Sequence, residues 1–139
     1  MILASSSPRR RELLTQIGVR FRIQAADIDE TPFADEPAVA YVERMALEKA
    51  RKVAEGHSQE VILGSDTSVI FNGEILGKPV NNREAEETLQ RLSGQTHQVL
   101  SAVAVVQGDR EKVVSVATEV TFRSLSDEEI TRYVATGEP

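Results

Sequence analysis

The sequence predicts an α/β domain with a mixed sheet flanked by helices. Three observations carry that expectation. Short β-rich runs interleave with stretches of helical periodicity, Asn72-Gly73 separates two apolar runs by a two-residue turn, and a longer pair of β-rich runs flanks Gly108-Asp109. Interleaving produces parallel neighbours through crossover helices, whereas a two-residue turn joins antiparallel ones, so both ladders belong in one sheet. At 139 residues the chain has the length of a single domain. Hydrophobic residues at 40% and charged residues at 27% match a folded soluble protein and disfavour disorder or a coiled coil.

Ile2-Leu3-Ala4 is a short apolar run. Ser7-Pro8 then sets a capping hydroxyl before a proline at the first helical position, and a helix follows from Pro8 to about Ile17. Leu13, Leu14 and Ile17 give it an apolar stripe and Gly18 a stop. Val19 to Ala25 alternates Val19, Phe21 and Ile23 with Arg20, Arg22 and Gln24, the period of a half-buried strand. Residues 27–36 hold five acids, no base and the breaker pair Thr31-Pro32, and read as a loop. Pro37 opens a second helix to about Glu55, with Val39, Val42, Met45, Ala46, Ala50 and Val53 along one side and Gly56 at its end.

Val61-Ile62-Leu63 is a buried strand that runs into Gly64-Ser65-Asp66-Thr67. Val69-Ile70-Phe71 and Glu74-Ile75-Leu76 pair across Asn72-Gly73. Asn82 caps a third helix, Arg83 to Leu92, which Ser93-Gly94 ends. Val99 to Val106 and Val113 to Arg123 form a long hairpin, and Ser126-Asp127-Glu128-Glu129 is a capping box that opens a last helix through Tyr133.

A formal charge of -6 and a pI near 5.0 disfavour nucleic acid as a partner, because that role needs a basic footprint. No apolar run approaches a membrane span, and Met1 to Ala4 meets Ser5 too early for a signal-peptide core, so the expectation is a cytoplasmic protein with no membrane partner. The absence of cysteine excludes disulfides, thiolate metal sites and cysteine nucleophiles.

Arg9-Arg10-Arg11 occupies a first helical turn, where the positive dipole end and free N–H groups favour acids. An anion bound there would reverse the penalty; the alternative is a solvated basic face paired with Glu12. Asp66 follows an apolar strand near its C-terminal end, where α/β sheets place ligands, and Gly64 leaves room for a close approach; a plain strand-end cap is the alternative. Asp27, Asp29 and Glu30 are hard oxygen donors suited to Mg²⁺, or simply an acidic loop. Lys78 in Gly77-Lys78-Pro79 is either a phosphate-facing point charge or an exposed turn residue. Lys49 lies where Arg44, Arg51 and Lys52 alternate with acids, by default a solvated face. His57 is expected to be exposed, His97 to serve structural hydrogen bonding, and the two lack a zinc spacing.

Leu3-Ala4-Ser5-Ser6-Ser7-Pro8-Arg9-Arg10-Arg11-Glu12-Leu13-Leu14 resembles the opening of the Maf family, nucleoside triphosphate pyrophosphatases historically linked to septum formation. The resemblance continues in family order through Asp29-Glu30, Glu48-Lys49-Ala50, Gly64-Ser65-Asp66-Thr67, Gly77-Lys78-Pro79, Leu92-Ser93-Gly94-Gln95-Thr96-His97 and Val120-Thr121-Phe122-Arg123. It implies a curved mixed sheet of the inosine triphosphate pyrophosphatase, or Maf/Ham1, type within one domain over residues 1–139, and cleavage of a triphosphate between its α and β phosphates with Mg²⁺ or Mn²⁺. By the same resemblance Asp66 is the general base and, with Glu30, holds metal; Arg9, Arg10, Lys49 and Lys78 neutralise the triphosphate; Ser5 and Ser7 line its cradle. Arg9-Arg10 and Thr67 match the branch acting on dTTP and UTP, whereas the branch preferring 7-methyl-GTP carries Trp for the first Arg and Gln after the Asp.

Family members continue beyond Glu138-Pro139 with a Gln-bearing segment that completes a second lobe, so the resemblance implies a C-terminally truncated chain with that lobe incomplete. It also implies a homodimer as partner. Two other classes stay open, a nucleotide-binding regulatory module with reduced or lost catalysis, linked to septum formation or division arrest, and a protein-interaction domain with an incidental basic helix start.

Overall fold

The first apolar residues of the chain become a strand because two others lie ready to pair with them. A computed structural model describes residues 1–5, 8–18, 20–77 and 79–136, with Pro8 and Arg9 described by backbone alone. β1 (Ile2–Leu3) runs parallel to β2 (Arg22–Ile23) and to β3 (Ile62–Phe71), with Leu3 opposite both Ile23 and Leu63. β4 (Glu74–Leu76) folds back antiparallel onto Val69, Ile70 and Phe71, through a turn in which Asn72 and Gly73 both take positive φ, as a primed hairpin turn requires. β5 (Thr96–Gln107) and β6 (Arg110–Thr121) complete the order β2-β1-β3-β5-β6. Among the described residues the six strands form one mixed sheet, accompanied by the helices α1 (Pro8–Gln16), α2 (Ala38–Ala54), α3 (Asn82–Leu92) and α4 (Asp127–Ala135). The α/β expectation holds.

The chain divides into two compact units, Met1–Thr67 with Ser101–Val116 and Ser68–Leu100 with Ala117–Pro139, and β3, β5 and β6 contribute to both. In the first, α2 buries Tyr41, Val42, Met45, Ala46, Ala50 and Val53, and β1 and β3 bury Ile2, Leu3 and Ile62. Full burial of a Val, Leu or Met side chain contributes about 1.5–3 kcal/mol, so this face is the main local source of cohesion. In the second, Ala85 of α3 packs with Ile130 and Val134 of α4, flanked by Leu89 and Leu125. Ser126 and Glu129 form both arms of the capping box that starts α4.

Several sequence expectations change. The capping Ser7 and Val19 lie outside the described residues. The strand expected over Val19 to Ala25 shrinks to Arg22 and Ile23, both exposed, because β1 offers only two residues to pair with. The apolar stripe of α1 is not buried: Leu13 is 52% and Ile17 71% exposed. On α2, Val39 is exposed and Tyr41 takes a buried place instead. The cap of α3 is Asn81, whose Oδ1 accepts from the Glu84 N–H at 2.9 Å, one residue before the expected Asn82. β5 and β6 are longer than expected, starting at Thr96 and Arg110.

The largest difference concerns β3, which is unbroken from Ile62 to Phe71. Gly64-Ser65-Asp66-Thr67 is strand, so Asp66 stands in the middle of β3 rather than near its end. Gly64 admits no ligand. A Cβ there would lie 2.3 Å from the Ala46 carbonyl oxygen and 2.9 Å from the Ala50 Cβ, so the close approach is that of α2 itself.

Candidate active site

β1 reaches only part of the length of β3. Among the described residues its last backbone bond to β3 runs from the Ala4 N–H to the Leu63 carbonyl at 2.8 Å. Asp66 and Thr67 follow on β3, beyond the residues that β1 pairs. As consecutive strand residues they present their side chains to opposite faces of the sheet.

Asp66 lies on the α2 side. Lys49 stands at the margin of the helix's buried face, and its Nζ donates to Asp66 Oδ1 at 3.2 Å and contacts Glu30 Oε1 at 3.1 Å. The lysine and aspartate side chains are 12% and 9% exposed, that of Glu30 49%. The default expectation of a solvated face therefore fails at Lys49: its ammonium is shared by two carboxylates. Asp66 would cost much to bury as an anion without compensation, and the neighbouring ammonium supplies part of it while also meeting the half-exposed Glu30.

Glu30 belongs to an irregular segment, and its main-chain carbonyl accepts the Tyr41 hydroxyl at 2.6 Å. Burial raises the pKa of that phenol above its ordinary value, helped by the negative charges of Asp66 and Glu30, so it stays protonated and donating. Asp29 does not join the cluster through any described contact. Its Oδ1 accepts the Thr31 N–H at 3.0 Å, an interaction with Thr31 that also lowers its pKa.

On the opposite side, Thr67 meets α1. Arg10 donates through Nη1 to Ser5 Oγ at 3.3 Å and through Nη2 to Thr67 Oγ1 at 3.3 Å, while Thr67 Oγ1 lies 3.4 Å from Ser101 Oγ on β5. Arg11 is exposed, so within the basic run Arg10 is the member seen turning inward. Ser7, Lys78 and the Arg9 side chain lie outside the described residues.

The histidines lie apart from these contacts. His57 is half-buried rather than exposed, between Gln24 and Glu60. His97 is buried with its ring edge-on to Phe122 at 4.8 Å; among the described residues its Nδ1 has no partner, and burial lowers its pKa.

Sequence reasoning missed Tyr41 and Ser101. Tyr41 falls beside Val42 on the apolar flank of α2, which signals burial but not a partner for its hydroxyl. Ser101 alternates with the buried Leu100 and Ala102, a pattern that hides a hydroxyl facing Thr67.

For a divalent cation the donor chemistry fits. Glu30 and Asp66 are hard oxygen donors that meet at one ammonium, and Mg²⁺ is typically held by one or two carboxylates together with substrate phosphates. Among the described residues no group of three or more His, Asp or Glu forms a self-sufficient metal cage, so such an ion would draw its remaining ligands from substrate and water.

An open mixed α/β sheet whose central strand carries Asp66, bridged through Lys49 of α2 to Glu30 on an irregular segment, defines the class, and the fold recurs among solved structures. The Ham1 protein of Staphylococcus aureus superposes with a TM-score of 0.61 over 91% of this chain and 71% of its own, at 16% identity, a likeness of fold alone. The chain belongs to the Maf family, since the family described as Maf-like protein matches residues 1–139. Curated relatives include proteins named dTTP/UTP pyrophosphatase from Myxococcus xanthus, 52% identical over 139 residues, and Symbiobacterium thermophilum, 52% over 140. Each alignment spans all of this chain and 70% or 72% of the relative. Among the described residues no helix is long and apolar enough to cross a membrane.

Proposed function

We propose that this chain hydrolyses nucleoside triphosphates, dTTP and UTP first among them and modified pyrimidine analogues besides, between the α and β phosphates, and that it acts on free nucleotides in the cytoplasm. The observation that carries this is the Asp66–Lys49–Glu30 cluster, in a chain 52% identical over its whole length to proteins named for that activity. The acidic surface, at a net charge of -6, fits a small metal-complexed anion better than a phosphate polymer.

Asp66 acts as general base. It takes a proton from the water whose oxygen bonds to phosphorus as the anhydride P–O bond breaks, leaving a nucleoside monophosphate and pyrophosphate. Lys49 is an ammonium on a flexible stem and can turn from the carboxylates toward the phosphates, while Arg10, steadied by Ser5 and Thr67, offers a guanidinium for phosphate oxygens. Ser7, Arg9 and Lys78 complete the cradle and Thr67 with Arg9 and Arg10 sets the preference for pyrimidines, roles taken from the family pattern. Glu30 and Asp66 would hold a Mg²⁺ or Mn²⁺ ion, which would supply charge neutralisation for the leaving pyrophosphate.

The test is pyrophosphate release from dTTP, UTP and 7-methyl-GTP, with Mg²⁺ and with chelator. Turnover of the first two, lost on chelation, is expected. Preference for 7-methyl-GTP would overturn the branch. Calorimetric binding of dTTP without release from any substrate would replace the enzyme with a nucleotide-binding regulatory module.

A further inference from the structure

We infer that Tyr41 is a positioning residue for this site, its hydroxyl setting the Glu30 carboxylate opposite Asp66, an inference that rests on the pyrophosphatase reading above. Tyr41 is 7% exposed, and a phenylalanine would fill the same space equally well. The hydroxyl finds its use in the 2.6 Å bond to the Glu30 carbonyl, a distance at the short end of neutral O–H···O bonds.

Glu30 needs such a restraint. It lies between β2 and α2 in a segment without regular structure, and among the described residues no backbone hydrogen bond ties its main chain to another. Its side chain is half exposed, so packing does not fix it. What fixes it is α2, twice: Tyr41 holds its main-chain oxygen and Lys49, eight residues further along the helix, meets its carboxylate at 3.1 Å. Two contacts from one rigid helix determine both where the residue sits and where its carboxylate points. A buried tyrosine thereby acts on the site without touching substrate.

The restraint on Glu30 is separable from the folding of its loop. Arg44 independently ties the next residue, donating to the Thr31 carbonyl at 3.2 Å and to both carboxylate oxygens of Glu36 at 2.8 and 2.9 Å. With that strap in place, loss of the Tyr41 hydroxyl frees Glu30 while the loop stays docked.

The experiment compares Tyr41→Phe, Glu30→Gln and the double variant by Mn²⁺ binding, read from the electron paramagnetic resonance of free Mn²⁺, and by steady-state pyrophosphate release from dTTP. Tyr41→Phe is expected to keep the wild-type circular dichroism and to weaken Mn²⁺ binding about tenfold, as loss of an outer-shell partner does. It raises the Mn²⁺ concentration needed for half-maximal rate more than it lowers the saturated rate. In the Glu30→Gln background the same substitution changes little further, because its effect runs through the carboxylate. Unchanged Mn²⁺ binding overturns the inference, as does an equal effect in both backgrounds, which marks general loosening. If the wild type neither binds Mn²⁺ nor releases pyrophosphate, the pyrophosphatase reading falls. Amide hydrogen exchange over residues 28–31 then decides the role of Tyr41: faster exchange in Tyr41→Phe upholds the restraint, and unchanged exchange ends it.

Discussion

Two ionic clusters lie five residues apart on α2, and they use their cations in opposite ways. Arg44 grips Glu36 with two parallel bonds at 2.8 and 2.9 Å, adds Glu48 at 3.0 Å and the Thr31 carbonyl, and lies 3.8 Å over the Phe33 ring. The bond to Glu36 raises the pKa of Arg44 and lowers that of the acid. Lys49 has no fork. It stands at 3.1 and 3.2 Å from two acids that belong to different segments. A guanidinium engaged at every edge fixes a loop, whereas an ammonium shared between two acids can change partners when a phosphate arrives. Similar charge density on one helix therefore yields a structural clamp at one point and, in the function proposed above, a chemical site at the next.

The largest effect should follow Asp66→Asn, which keeps shape and removes the proposed base. Pyrophosphate release from dTTP is expected to fall about 10²–10⁴-fold, with calorimetric dTTP binding largely intact. Retained turnover would move the base elsewhere and dissolve the contrast between the clusters.

Lys49→Met comes next. Deleting one partner of a buried ion pair costs roughly 3–5 kcal/mol, and half-exposed Glu30 puts the loss here at the lower end. Urea denaturation measures it, and dTTP affinity should fall with it. A variant weakened in stability alone would make Lys49 a second clamp rather than a site residue.

Arg44→Lys keeps the charge and loses the fork. Hydrogen bonds to charged groups contribute about 1.5–3 kcal/mol each on net, so a drop of that order in urea stability is expected while turnover stays near wild type. A larger effect on turnover than on stability would erase the distinction from the other side.

The smallest effect is one of pH. Arg44 holds the Glu36 carboxyl below its ordinary value of 4.5, so its stabilising share is complete above that value and is lost as pH falls through the lower folded one. Glu36→Gln should flatten the decline of the urea midpoint below pH 4.5 relative to wild type. An unchanged acid limb would show that the clamp titrates no differently in the unfolded chain.

Much of the fold was legible in the residues, for local reasons. Asn72-Gly73 accepts the positive φ of its turn, and Ser126 with Glu129 closes a capping box within four residues. Where tertiary contact decided, local signals misled. Gly64-Ser65-Asp66-Thr67 has the composition of a turn, yet it continues β3 because α2 packs directly on Gly64. The alternation from Val19 onward promised a longer strand than a two-residue neighbour could pair. For the site, the residues alone marked the run Arg9-Arg10-Arg11 and Asp66 as unusual and left Glu30 as one of three acids in a loop; the family pattern singled out Glu30 and Lys49. Neither could show that one ammonium lies between two acids, or that Tyr41 and Ser101 supply hydroxyls to partners 11 and 34 positions away in the chain.

Gly64 has one more consequence. The strand bearing Asp66 and the helix bearing Lys49 meet where a side chain has been left out, with the Ala46 carbonyl in the space a methyl group would claim. The depth at which the helix seats is thus a dimension cut into the backbone, and the salt bridge to Asp66 inherits its length from it. Any residue but glycine at that position acts as a shim, lifting Lys49 from Asp66 before any charged atom has been altered.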